Sequence, residues 1–98
     1  MQAQIEELLS ADAPTLAHME DTLTEGYAKA LALEAERWRL ERRLGEVARE
    51  GRPDVGDELR TLGIRLTRAD GELATLRSLL GSLHERARVV RLAANSGV

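Results

Sequence analysis

The groups with which this chain could do chemistry are few. It has two His, seventeen Asp and Glu, four Ser and no Cys. A metal centre needs such ligands converging at a fixed spacing, as in HExxH or in Glu-x-x-His on one helix face. His18 and His84 belong to no such pattern, and they read as structural or solvent-exposed residues. Ser10, Ser78, Ser82 and Ser96 fall in helical or tail contexts, with neither a nucleophile elbow nor a nearby triad. The glycines are dispersed and form no phosphate loop. The expectation is a protein that is not an enzyme and uses no cofactor or metal.

One acidic stretch stands out: Glu50-Gly51-Arg52-Pro53-Asp54-Val55-Gly56-Asp57-Glu58. Asp54 and Asp57 here resemble the acidic tip of RNA polymerase secondary-channel factors. Those are hairpins whose tip carboxylates work near the polymerase's catalytic magnesium. The resemblance covers only these two residues, and no part of the 98 reads as the globular domain such factors carry. It implies a regulator that inserts its tip into a larger machine. The same residues also read as helix punctuation, with Asp54 as N-cap and Asp57 and Glu58 as first-turn acids facing the helix dipole. In length and topology the chain is also similar to small secreted helical hairpins of the WXG type. Their Trp-x-Gly turn is replaced here by Gly51-Arg52-Pro53, with Trp38 in mid-helix, so membership does not follow.

The elements that must position these groups are written in two runs of heptads. Leu16, Met19, Leu23, Gly26, Ala30, Leu33, Arg37, Leu40, Leu44 and Val47 are spaced 3, 4, 3, 4. Leu59, Leu62, Leu66, Ala69, Leu73, Leu76, Leu80, Leu83, Ala87 and Val90 repeat the pattern. Folding the chain at Pro53 sets 47 against 59, 44 against 62 and, finally, 16 against 90. That register predicts an all-α fold: an antiparallel two-helix coiled-coil hairpin, half of a four-helix bundle if it dimerises. The expected boundaries are a short helix at 2–10, long helices at 14–50 and 55–94, a turn at 51–54 and a frayed tail at 95–98, all in one domain. Asp12 or Ala13 can cap the first long helix, with Pro14 in its first turn. Gly51 suits the C′ position that ends it. Ile5, Leu8 and Leu9 give the short helix an apolar edge that could fold back near Val89 and Leu92.

Composition agrees. The chain is 43% hydrophobic and 32% charged, with no Phe, one Trp and one Tyr. The core must therefore be Leu and Ala, as helix-on-helix packing favours. A net charge of −3, mixed in sign, gives no bulk attraction to nucleic acid or to an anionic membrane. No apolar run approaches a membrane span and the N-terminus is acidic, so a cytoplasmic location is expected. Arg86, Arg88 and Arg91 close the second long helix, while Glu20, Asp21 and Glu25 open the first. Each sign suits its helix end, and the two groups attract each other across a hairpin. This reading outweighs a nucleic-acid patch.

Within the seam, Gly26 falls opposite Leu80 and Arg37 opposite Ala69. Both pairings place a small residue against a large one and can set the register. Arg37 can alternatively run its stem over Ala69 to reach Glu34, Glu41, Asp70 or Glu72. The flanks fit less well. Glu34 falls near Asp70, Glu36 near Glu72 and Arg43 near Arg65, which are like-charge pairs. Only Glu20 with His84 and Tyr27 with Arg77 are favourable. Tyr27, Leu31 and Trp38 line one flank, extended by Ala17, Thr24, Gly45 and Ala48. Gly63, Thr67, Ala74 and Gly81 lie on the same side of the other helix. Large residues on one helix and small ones on the other suit a twofold partner. The expectation is a self-associating hairpin, most simply a dimer, acting as a structural or adaptor module. A subunit of a heteromeric helical complex, whose stripe receives a different protein, is the alternative alongside the acidic-tip regulator.

Overall fold

The computed structural model describes residues 1–12 and 14–96. It holds three helices, α1 (Gln2–Ser10), α2 (Leu16–Glu50) and α3 (Val55–Ser96). No strand occurs among the described residues. α2 and α3 pack against each other as an all-α helical hairpin. All twenty seam positions are buried or half-buried. Among the described residues of α2 and α3, Thr22 is the only other one that is buried.

Each boundary has a local cause. α2 begins two residues later than the spacing suggests, because Thr15 and not Asp12 caps it. The Thr15 hydroxyl accepts a hydrogen bond from the His18 N–H at 3.2 Å, and the Thr15 carbonyl accepts from the Met19 N–H at 3.0 Å. The Thr15 hydroxyl thus satisfies an amide that the first turn leaves unpaired, and Pro14 precedes the helix. Ala13, the other expected cap, lies outside the described residues. α2 ends at Glu50, and Gly51 has φ 66°, the left-handed conformation that a C′ position favours. The Val55 N–H then donates to the Arg52 carbonyl at 3.4 Å, and Asp57 and Glu58 fall in the first turn of α3. α3 runs two residues past the expected end, through Asn95 to Ser96.

The chain divides into two compact units. The open-end unit comprises Met1–Ala30 and Thr75–Val98, and it contains α1. Its core is the deeper one. Ile5, Met19 and Leu83 are fully buried, and Leu76 and Leu80 nearly so. The turn-end unit, Leu31–Ala74, is built from two helices alone. Its core joins Leu40, Val47, Leu62 and Ala69, with Leu44, Val55, Leu59 and Leu66 packed half-buried against them.

Candidate functional site

The open-end unit shows how the hairpin treats its flanks. Gly26 lies so close to Leu80 that a Cβ there would overlap Leu80 Cδ2, so the Leu80 side chain fills the space the glycine leaves. α1 is docked in this unit through buried Ile5 and Leu8. It folds back at the open end, while Val89 and Leu92 remain about half exposed. Arg86 holds its C-terminal end. Its Nη1 donates to the Leu9 carbonyl at 2.6 Å and its Nη2 to the Ala11 carbonyl. α1 has no basic residue in its own last turn, so this guanidinium supplies the positive charge and donors that a helix C-terminus favours. In the sequence it stands only as one of a C-terminal Arg cluster. The others are also occupied. Arg91 pairs with Glu20 at 2.6 Å and Arg88 with Glu85 at 2.6 Å. Glu20 thus binds Arg91 where His84 was expected. The Arg88 hydrogen bond holds the Glu85 carboxyl below the usual carboxylate range, and Glu85 in turn raises the Arg88 guanidinium.

The turn-end unit is an ion-pair lattice. Arg37 Nε donates to Asp70 Oδ1, and Arg37 Nη2 lies 3.0 Å from Glu41. The Arg37 side chain is partly exposed and Ala69 opposite is buried, so the charged end lies among exposed carboxylates at the edge of the seam. Asp70 foremost, then Glu41, raises the Arg37 pKa. Arg43 reaches Glu58 at 2.9 Å and lies 3.7 Å from both Glu46 and Glu50. Arg52 bridges Glu50 at 2.7 Å and Glu58 at 2.9 Å. Hydrogen bonds from Arg43 and then Arg52 lower the Glu58 pKa, and the Glu58 hydrogen bond leads the upward shift of Arg52.

These contacts add partners to the expected like-charge flanks. Arg43 lies within 4 Å of three carboxylates, and Asp70 is bonded by Arg37, one of the carboxylates its seam position offers. The Arg43–Glu58 pair joins residues about a turn apart in height, which a residue-opposite-residue register does not capture. Glu36 and Glu72 line one groove together, as their register suggests, and Arg65 and Arg68 line it with them.

At the tip, Asp54 and Asp57 are exposed. The Asp57 carbonyl accepts from the Thr61 hydroxyl at 3.0 Å. Among the described residues, no group of three or more His, Asp or Glu is placed to hold a metal ion.

The apolar stripe is exposed in both units. In the turn-end unit Leu31 is 67% and Trp38 56% exposed; in the open-end unit Tyr27 is 47% exposed. Arg42 lies over the Trp38 ring, 4.9 Å from its centroid. Trp38 borders a groove with Glu41, Arg42, Gly45, Glu46 and Arg49. On α3 of the same unit a second groove runs over Gly63, Ile64 and Thr67 between Arg60 and Arg68. Ala74 and, in the other unit, Gly81 are exposed as well. A Cβ added at Gly63 or at Gly81 would meet nothing within 4 Å, so both leave open space on α3.

No family model, no curated protein and no solved structure matches this chain. No helix among the described residues is long and apolar enough to cross a membrane. What identifies the site is therefore its own geometry.

Proposed function

We propose that this chain is a non-enzymatic interaction module that pairs with a second copy of itself through the Leu31 and Trp38 flank, serving as a structural or adaptor element. One observation carries the reading: Leu31 and Trp38 stand more than half exposed on α2, and α3 of the same unit carries a groove lined by Gly63, Ile64 and Thr67. Large apolar groups and small receiving ones on one side make a self-complementary surface, which twofold symmetry uses twice. Two helices cover only one line of each other, and a second hairpin would bury both flanks as a four-helix bundle does. The like-charged flanks no longer argue for a partner, because Arg43 and Asp70 have partners within the chain. Arg42 above Trp38 is compatible with the reading, since a guanidinium on an indole face is common at interfaces.

The test is light scattering or sedimentation at tens of micromolar. The expected mass is that of two chains, and Trp38→Ala should shift it toward one while the circular dichroism of the hairpin is kept. A native chain that stays monomeric at that concentration removes the reading. The exposed Asp54 and Asp57 keep a regulator with an acidic tip as the second reading. It predicts that the double Asn substitution leaves helix content intact and abolishes binding to a larger machine.

A further inference from the structure

We propose that the groove on α3 of the turn-end unit is the seat of Trp38 from the second copy, so that each chain of the pair gives one indole and receives one. The inference rests on the self-association proposed above and says which surface meets which. The groove runs over Gly63, Ile64 and Thr67, and Ile64 is 54% exposed. Arg60 and Arg68 stand one helical turn to either side of Ile64, and both are exposed. Among the described residues no carboxylate holds either of them, whereas Arg37, Arg43 and Arg52 of the same unit each have two or more. A floor of Ile64 between two unengaged guanidiniums suits an aromatic ring, whose faces are negative. Trp38 is the one Trp of the chain and is 56% exposed, and it already takes the Arg42 guanidinium 4.9 Å from its ring centroid. It does not line the α3 groove of its own chain, so that groove is open to another.

The register fixes how the two surfaces meet. Arg37 faces Ala69 and Leu40 faces Leu66, so Trp38 lies at the level of Thr67. A twofold axis along the two helices of the unit keeps every residue at its own level and sets α2 of one copy against α3 of the other. The second copy's Trp38 then arrives over Ile64 and Thr67. Its Glu41 comes near Arg60 and its Glu34 near Arg68, opposite in charge. Glu41 stays exposed in its bond to Arg37, and one carboxylate can accept from two guanidiniums. The second copy's Leu31 comes to Gly71 and Ala74, both exposed, and a Cβ added at Gly71 would meet nothing within 4 Å. The reverse direction would set Leu31 among the charged Asp57, Glu58 and Arg60 instead.

The experiment uses the full chain and its single Trp. Gly63→Gln fills the groove, and the open space at that position lets the hairpin itself tolerate the change. Trp38→Ala removes the occupant. In light scattering over a concentration series, the native chain is expected to reach the mass of two chains, and its Trp38 fluorescence to move to shorter wavelength as it does. Each variant alone should stay at one chain, with the circular dichroism of the helices kept. In a mixture, the Gly63→Gln chain supplies an indole and the Trp38→Ala chain an empty groove. The mixture should therefore pair and shift the fluorescence, through one contact where the native pair has two. A Gly63→Gln chain that pairs and shifts as the native one does overturns the proposal. So does a mixture that pairs no better than its components, which is what an indole meeting its own twofold copy would give. If Gly63→Gln loses its helices, Thr67→Gln, at an exposed position of the same groove, takes its place under the same outcomes. A monomeric native chain defeats the self-association reading, and the indole contact with it. A native pair with an unchanged Gly63→Gln variant defeats only the contact between indole and groove.

Discussion

The open-end and turn-end units are cut from the same two helices, yet they bury their seams differently. Of the seam residues in the open-end unit, only Leu16 and Val90, the outermost pair, are half-buried. In the turn-end unit Arg37, Leu44, Leu59 and Leu66 are all half-buried. The difference is one nine-residue helix. Two helices in contact shield a single line of side chains, and a third lying over one flank seals that line from the side. Where α1 is absent, the chain invests in surface ion pairs around Glu58 and Arg43 instead. Exposed pairs of that kind fix geometry more than they stabilise it. The apolar group left over at the turn end, Trp38 with Leu31, is correspondingly the most open one on the molecule.

The largest expected effect lies in the two cores. Leu83→Ala, at a fully buried site of the open-end unit, should cost about 3–4 kcal/mol of unfolding free energy. Leu66→Ala, at a half-buried site of the turn-end unit, should cost about half as much. Urea denaturation of both variants measures the gap, and equal losses would mean that the third helix adds no depth. Next come the glycines. Gly26→Ala gains helix propensity but drives a methyl into Leu80, and overpacking should win, for a net loss of about 1 kcal/mol. Gly71→Ala meets nothing within 4 Å and should raise stability by about 0.5–1 kcal/mol. Thermal midpoints moving in opposite directions would sharpen the contrast, and a shared direction would break it. The smallest effect is on acid sensitivity. The Glu58 pKa is lower in the folded chain than in the unfolded one, so its contribution is complete above the unfolded value of about 4.3 and vanishes as pH falls through the folded value. Glu58→Gln should therefore lower the melting temperature slightly at pH 7 and flatten its fall below about pH 4.5, where variant and native chain converge. An unaltered acid limb would show that the Arg43–Glu58–Arg52 contacts are not kept in solution.

Much of the fold was legible because its signals are local and repeated. A hydrophobic spacing of 3 and 4 leaves a helix no other face to bury, and two such runs on either side of Gly51 and Pro53 leave no other register. The aromatic stripe was legible for the same reason, since Tyr27, Leu31 and Trp38 miss the seam by a fixed angle. The partners of the flank charges were not legible, because a register assigns neighbours by height along the helix, whereas an arginine reaches a turn in either direction. Arg43 could choose among several carboxylates, and it lies within 4 Å of three.

The sequence by itself determined the helices, the turn with its left-handed glycine, and the opposition of Gly26 and Leu80, because each follows from periodicity or from one residue's backbone preference. Only the tertiary structure decided where α1 lies, that Arg86 is the residue holding it, and that Thr22 is buried while Tyr27 is not. A helix of nine residues carries too little local information to choose its own seat. That choice belongs to the surface that two other helices make, and no stretch of sequence read alone contains that surface.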